Sequence, residues 1–145
     1  MTYELKAGIA GAVSLSLLAL AGCGGGPTTG STDFAAAPVV VELERGEAAT
    51  VDGLRIRFET VSEDSRCAVD VVCVWAGNAA VGLELSRDGG PAERVTVNTG
   101  VEPLSIVRDG LEIRITELRP DPVSTERIDP EDYRVSLDVS RVGLQ

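Results

Sequence analysis

From residue 39 onward, apolar and polar residues alternate along the chain with a period of two. This spacing places the apolar side chains on one face of an extended segment, so it predicts half-buried β-strands. No stretch of the sequence keeps the 3.6-residue apolar spacing that is typical of an amphipathic helix. The segments with the alternating pattern are 39–44, 54–59, 81–87, 93–98, 104–107, 111–115 and 133–139.

Turn-forming residues separate these segments. Asp88-Gly89-Gly90-Pro91 stands between two of them, and Asp109-Gly110 is a dipeptide that favours a tight hairpin. Short strands with a turn signal roughly every 8–12 residues are typical of all-β domains. We therefore predict an antiparallel β-sandwich or small barrel of about 7–8 short strands.

The first 23 residues have a different pattern. They contain one lysine, then an uncharged run from Ala7 to Gly22, and then Cys23 behind small residues. This order is typical of a secretory signal peptide. The uncharged run has 16 residues, fewer than the roughly 20 that a transmembrane helix needs. Because glycines rather than positive charges follow it, we predict a signal peptide over residues 1–22 instead of a membrane helix.

The end of this segment, Leu20-Ala21-Gly22-Cys23, resembles the lipobox of bacterial lipoproteins. The resemblance implies that Cys23 receives a diacylglyceryl group on its sulfur and becomes the mature N-terminus. Two acyl chains anchor a protein far more firmly than one chain does. The alternative is an ordinary secreted protein with a cysteine near its cleavage site. A lipoprotein would lie in the cell envelope. The residue after Cys23 is Gly24 and not the aspartate that resembles an inner-membrane retention signal, so we expect the outer membrane if one is present.

The residues that follow Cys23 are predicted to be a tether. Residues 24–38 read GGGPTTGSTDFAAAP, a composition that cannot bury enough apolar surface to fold and that is typical of flexible linkers. The predicted organisation is a signal peptide over 1–22, the lipidated cysteine and tether over 23–37, and one β domain over 38–145.

Composition excludes several functions. The chain has 13 basic and 23 acidic residues, a formal net charge of −10. An acidic surface repels phosphate, so nucleic acid is not an expected partner. It also repels anionic lipid headgroups, so we expect the anchor to hold the protein at the membrane. The absence of histidine excludes His-based catalysis and removes the usual zinc ligand.

No cofactor and no metal site are predicted. The acidic residues of segment 121–132, DPVSTERIDPED, are of the type that ligates calcium. Their spacing matches no calcium-binding loop, and two prolines stiffen the segment. We therefore expect a solvated loop there.

Cys67 and Cys73 are the two cysteines that remain once Cys23 is lipidated. An even number of cysteines in an oxidising compartment predicts a disulfide. The alternatives are a redox pair and a metal site. A redox pair is usually Cys-x-x-Cys at the start of a helix, whereas five residues separate these cysteines. We therefore predict a structural disulfide and no catalytic residue.

Trp75 lies two positions after Cys73, on the same face of the chain if the segment is a strand. This spacing predicts a core aromatic residue packed near the disulfide. The alternative is a binding rim formed by Arg66, Trp75 and Asn78, because tryptophan and arginine are frequent anchors of interfaces. Asp64 is expected to form a turn or an ion pair with Arg66 rather than to act as a catalytic acid.

The same stretch resembles a known signature. Asp64-Ser65-Arg66-Cys67, with Cys73 and Trp75-Ala76-Gly77 after it, is similar to the DSRCP…C-x-W-A-G pattern of a group of bacterial lipoproteins and secreted proteins. Ala68 stands where that group usually has proline, so the first turn of the ring is expected to be looser. The resemblance implies an extracytoplasmic β domain and carries no activity.

The sequence leaves three functions open. The favoured one is a non-enzymatic, lipid-anchored β domain that binds a protein or small ligand or serves a structural role. The second is an envelope enzyme, either a thiol oxidoreductase using Cys67 and Cys73 or a hydrolase whose paired carboxylates converge in a cleft. The third is an assembly protein whose edge strands accept a strand of a partner.

Overall fold

The structure is a computed structural model, and it describes residues 37–143. Eight β-strands make up this part of the chain. They are β1 (Val39–Glu44), β2 (Ala48–Val51), β3 (Leu54–Asp64), β4 (Ala79–Arg87), β5 (Glu93–Asn98), β6 (Ser105–Arg108), β7 (Leu111–Arg119) and β8 (Arg134–Arg141). Within residues 37–143 the one helical element is a single 3-10 turn, Pro130–Asp132.

The strands form two four-stranded antiparallel sheets. One sheet has the order β1-β8-β7-β6 and the other the order β2-β3-β4-β5. The two sheets contribute to one shared hydrophobic core and are not closed into a barrel. The predicted all-β class is confirmed, and of the two predicted architectures the structure has the sandwich.

The alternating pattern of the sequence accounts for most strand positions. Every segment predicted to be a strand overlaps an observed strand. The strand β3 runs five residues beyond its predicted end at Glu59. The strand that the pattern did not predict is β2. It has four residues, of which Val51 alone is buried, so it is too short to show the alternation.

The core lies between the sheets and is mainly aliphatic. Leu54, Ile56 and Phe58 of β3 are at most 1% exposed, and the charged residues between them face away from the core. Fully burying one such side chain stabilises the fold by about 1.5–3 kcal/mol. The core residues are Val41, Leu43, Val51, Leu54, Ile56, Phe58, Ala79, Val81, Leu83, Leu85, Val97, Leu111, Ile113, Leu118, Tyr133, Val135, Leu137 and Val139.

The two ends of the sandwich carry different features. At one end, which we call the Asp52 end, Asp52 of the β2–β3 turn pairs with Arg141. At the other end, the Cys67 end, residues 65–78 connect β3 to β4, and Tyr133 precedes β8. Because β1 begins opposite Val139, the chain enters the domain near the Asp52 end.

The compact unit that contains both sheets is Asp33–Gln145. Since this unit includes every described strand and the whole described core, we expect it to fold on its own. Within residues 37–143, no helix is long and apolar enough to cross a bilayer. The predicted signal peptide (1–22), Cys23 and the tether up to residue 36 lie outside the described residues, and they stay predictions.

Candidate functional site

Residues 65–78, which connect β3 and β4, contain the candidate site residues Arg66, Cys67, Cys73, Trp75 and Asn78. The connection starts as a continuation of the β3–β4 ladder. The Ser65 amide donates to the Asn78 carbonyl at 2.7 Å, and the Cys67 amide donates to the Ala76 carbonyl at 2.9 Å.

Cys67 and Cys73 form a disulfide, with 5.9 Å between their Cα atoms. The predicted disulfide is therefore confirmed. It closes a ring over residues 67–73, which we call the disulfide ring. The ring is the outermost part of the long β3–β4 hairpin at the Cys67 end of the sandwich.

Hydrogen bonds fix the disulfide ring to the β7–β8 connection. The Val69 amide donates to the Pro122 carbonyl at 2.9 Å. The Asp70 carboxylate accepts from the Ser124 amide at 2.8 Å and also from the Ser124 hydroxyl. These bonds from Ser124 lower the pKa of the Asp70 carboxyl. The ring is thus joined to a segment more than 50 residues away in the sequence.

A third connection, the one between β5 and β6, contacts the second half of residues 65–78. The Asn78 side chain donates to the Asn98 amide oxygen at 3.1 Å and accepts from the Gly100 amide at 2.9 Å. Gly77 has a positive φ of 74°. A Cβ atom on it would lie 1.9 Å from the Ser65 carbonyl oxygen, so two backbone segments touch here with no room for a side chain.

Arg66 forms a largely buried network beneath the disulfide ring. Its guanidinium donates to both oxygens of Asp64, at 2.9 and 2.6 Å. It also donates to the carbonyls of Leu118, at 2.5 Å, and Pro120, at 2.9 Å. The Tyr133 hydroxyl donates to Asp64 at 3.0 Å. The network therefore joins the end of β3 in one sheet to β7 in the other sheet and to Tyr133, which directly precedes β8. The predicted Asp64–Arg66 ion pair is confirmed.

The network shifts the pKa values of two of its members. Burial alone would raise the pKa of the Asp64 carboxyl, but the hydrogen bonds and charge of Arg66 and the bond from Tyr133 lower it overall. Burial, followed by the hydrogen bond to Asp64, raises the pKa of Tyr133 from 10.0 to about 12. Asp64 is therefore held ionised, and Tyr133 is held protonated.

The alkaline titration of Tyr133 tests this network. In the unit 33–145, Tyr133 is the single tyrosine, so phenolate absorbance reports it alone. Because its folded-state pKa is raised, the stability that the neutral hydroxyl contributes is fully present below about pH 10. It is lost as the pH rises towards 12. A midpoint near pH 10 while circular dichroism still shows folded protein would contradict the network.

Beyond the network, the disulfide ring and the residues after it expose apolar side chains. Val72 and Val74 are fully exposed, Trp75 is 79% exposed and Val71 is 46% exposed. We call these four residues the apolar tip. Of the ten large apolar side chains exposed within residues 37–143, five lie between Val69 and Trp75. Such a concentration in seven residues sets this loop apart from the sheets.

The interpretation of Trp75 as a core residue is wrong. It assumed that Cys73 and Trp75 lie in a strand, whereas residues 65–78 form no regular strand. The ring closes at Cys73, and the ladder pairs Cys67 with Ala76. As a result, the chain between Cys73 and Ala76 projects from the end of the sandwich instead of entering it.

The three residues predicted as a binding rim have different positions. Trp75 projects into solvent, whereas the Arg66 side chain is 13% exposed and is engaged by Asp64. Asn78 is engaged by Asn98 and Gly100. The valines of the apolar tip were missed as site residues. One signal could have indicated them: no charged residue occurs from Val71 to Asn78 in a segment with several turn-forming neighbours.

Residues 37–143 contain no group of three or more His, Cys, Asp or Glu side chains placed to hold a metal ion. In the acidic segment 121–132, Asp121 pairs with Arg119, and Glu131 pairs with Arg45. The largest of the best-formed cavities, about 520 Å³, is lined by Glu42, Glu47, Arg119 and their neighbours, with no residue of the apolar tip.

The contribution of the disulfide can be measured by replacing Cys67 and Cys73 together with serine. The chain-entropy model for so short a ring predicts a loss of about 2 kcal/mol in the free energy of unfolding. Denaturant titration of the variant measures it, and reduced wild-type protein is the control, since it should match the variant. Free thiols at both positions in protein isolated from an oxidising compartment would contradict the assignment.

No protein-family model, curated protein or solved structure matches the chain. The resemblances of the lipobox and of the Asp64–Gly77 signature stay predictions.

Proposed function

We propose that this is a lipid-anchored cell-envelope protein whose β domain binds a protein partner through the apolar tip, without catalysing a reaction. The observation that carries the proposal is the exposure of Val72, Val74 and Trp75 on a ring fixed by a disulfide. Contiguous apolar surface on a folded monomer is typical of interaction sites. Tryptophan is also among the residues that contribute most to binding when an interface buries them.

The fixed position of the ring supports a binding role. The disulfide and the bonds from Val69 and Asp70 to the β7–β8 connection hold the loop that carries the tip in one conformation. A loop that is already ordered loses less conformational entropy when it binds. The tip also projects from the end of the sandwich, whereas small molecules bind in concave sites. These features favour a protein over a small ligand.

The enzyme alternatives have weaker support. A reactive cysteine needs a group that lowers its thiol pKa, such as a helix N-terminus or a nearby cation. The described residues contain no α-helix, and the guanidinium of Arg66 is engaged by Asp64. A hydrolase needs a carboxylic acid with a raised pKa. Wherever a carboxyl pKa is shifted within residues 37–143, at Asp64, Asp70 and Glu112, it is lowered.

The point where the chain enters β1 and the apolar tip lie at opposite ends of the sandwich. Cys23 precedes Val39, the first residue of β1, by 16 residues. An extended chain of that length reaches at most about 58 Å. Because β1 begins near the Asp52 end, the tether would join the domain at the end away from the tip. A partner could then reach the tip from outside the membrane.

Cross-linking in intact cells tests the binding role. A photoreactive amino acid replaces Val74 in the full chain. The matched control places it at Val107, an exposed valine on β6 that is remote from the tip. We expect a protein adduct from position 74 that disappears when Trp75→Ser is added, and no such adduct from position 107. Equal adducts from both positions, or none from position 74, would sink the proposal.

The anchor is tested separately by Cys23→Ala. The variant should lose its label when cells are fed a radioactive fatty acid, because cysteine alone supplies the thiol for the thioether. It should also accumulate uncut or be released from the membrane fraction. Label that persists in the variant would show that the lipid is attached elsewhere or that the lipobox reading is mistaken.

A further inference from the structure

The apolar tip lies at an acidic end of the sandwich. Three connections lie together at the Cys67 end: residues 65–78, 99–104 and 120–133. They contain seven carboxylates and two arginines, a net charge of −5. The tip itself contributes nothing to this charge, since no charged residue lies between Val71 and Asn78. This end of the sandwich therefore combines an uncharged apolar tip with neighbouring connections that carry net negative charge.

Hydrogen bonds join the second and third connections to residues 65–78, so their carboxylates lie at the same end of the sandwich as the tip. The disulfide ring is hydrogen-bonded to Pro122 and Ser124 of the third connection, and Asn78 is bonded to Gly100 of the second. We call the carboxylates of the second and third connections the acidic rim. They are Glu102, Asp121, Glu126, Asp129, Glu131 and Asp132.

Most of the negative charge of the acidic rim is not neutralised within the domain. Of the two arginines in the three connections, Arg66 is engaged by Asp64, and Arg127 makes no ion pair within residues 37–143, so it offsets one rim carboxylate at most. Two rim carboxylates, Asp121 and Glu131, form ion pairs with Arg119 and Arg45. Within residues 37–143, the other four rim carboxylates make no ion pair, namely Glu102, Glu126, Asp129 and Asp132. Uncompensated charge of one sign around an interface selects partners of the opposite sign.

We infer that the partner presents an apolar pocket for Trp75 surrounded by lysine and arginine side chains. This inference rests on the proposed function and specifies the chemistry of its partner. Burial of the tip supplies the affinity, and the acidic rim speeds association and rejects acidic surfaces. An anionic bilayer and a second copy of this acidic chain are disfavoured by the same charge.

A peptide-display selection against the unit 33–145 tests the inference, with a library of random peptides as the probe. The enriched peptides should combine an aromatic or aliphatic centre with flanking Lys and Arg, and synthetic copies should bind less tightly as salt increases. Trp75→Ser should weaken their binding at least about 30-fold, as expected for the central residue of an interface. The thermal unfolding temperature of this variant should match that of the wild type, because the exposed Trp75 side chain does not support the fold.

Two charge variants separate the acidic rim from the general acidity of the chain. Glu126→Gln with Asp132→Asn should slow association and reduce the salt dependence, with little change in the dissociation rate. The control variant, Glu42→Gln with Glu84→Gln, removes the same charge from β1 and β4. It should change the association rate and the salt dependence less than the rim variant does.

The outcomes distinguish this inference from the proposed function. Enriched peptides that depend on Trp75 but carry no excess of Lys and Arg would overturn the inference alone. Equal effects of the two charge variants would do the same. Peptide binding that does not depend on Trp75 would overturn both. Trp75-dependent binding to vesicles of phosphatidylcholine and phosphatidylglycerol, or Trp75-dependent self-association, would show that the occupant is a bilayer or a second copy and would also overturn the inference.

Discussion

Arg66→Met is expected to lower the free energy of unfolding by about 2–4 kcal/mol, because it removes one partner of a largely but not fully buried ion pair together with its hydrogen bonds. The Asp64 side chain is 12% exposed, and in the variant it would keep the hydrogen bond from Tyr133 but lose its counter-charge. The carbonyls of Leu118 and Pro120 would also lose their donors. Domains of this size have about 5–15 kcal/mol of stability, so denaturant titration should show a severe loss.

The pH dependence of the Arg66→Met effect identifies its cause. In the wild type the Asp64 pKa is lowered, so its contribution is present above the unfolded pKa of about 3.9 and is lost as the pH falls through the folded value. In the variant, Asp64 keeps the bonds from the residue-66 amide and from Tyr133 but loses the guanidinium, so its pKa rises relative to the wild type. The deficit should therefore be largest at neutral pH and should shrink in acid.

Two further variants control the Arg66 result. Arg119→Met removes an exposed arginine that pairs with Glu117 and Asp121, and it should cost at most about 1 kcal/mol. Adding Asp64→Asn to Arg66→Met should recover part of the loss, because no unpaired charge remains. A loss in Arg66→Met no larger than that in Arg119→Met would rule out the network as a structural element of the Cys67 end.

Gly77→Ala should destabilise the domain by about 3 kcal/mol or more, because it adds overpacking to backbone strain. Gly77 has a φ of 74°, where a Cβ atom is unfavourable. The new methyl group would also lie 1.9 Å from the Ser65 carbonyl oxygen and 2.9 Å from the Arg66 Cα atom. Both of those neighbours are backbone atoms, so the connection between β3 and β4 would have to move.

Gly89→Ala is the matched control for Gly77→Ala. Gly89 has the same φ of 74°, but a Cβ atom there would meet nothing within 4 Å. It should cost only the strain of the left-handed conformation, about 1–2 kcal/mol. Thermal unfolding of both variants gives the comparison. Equal losses would mean that residues 65–78 can shift freely, which contradicts a fixed disulfide ring.

The sequence predicted the parts of the fold that depend on local periodicity. The strands β3 and β8 alternate apolar and polar residues over most of their length, because each has one face on the core and one face in water. Asp109-Gly110 also stands in a two-residue turn between β6 and β7, where both residues have positive φ. The disulfide was predictable from the cysteine count and the expected compartment.

The position of Trp75 was not predictable, since it depends on contacts that are distant in sequence. The bonds of Asp70 to Ser124 and of Val69 to Pro122 join the ring to another connection. They decide that the ring projects from the sandwich instead of folding onto it. Cys73 and Trp75 are two residues apart, so in a strand both side chains would lie on one face. This spacing favoured a strand through Trp75. The acidic rim needed the structure as well, since its carboxylates come from two separate connections.

The fluorescence of Trp75 tests most directly the claim that the apolar tip is exposed when free and buried when bound. Trp75 is the single tryptophan of the chain, so its emission needs no engineered probe. We expect the emission of a hydrated indole and ready quenching by iodide in the free unit 33–145. When the partner cross-linked from position 74 is added, the emission should shift to the blue and iodide should quench it less. Emission that is already blue-shifted and protected in the free protein, or that is unchanged by the partner, would contradict the account.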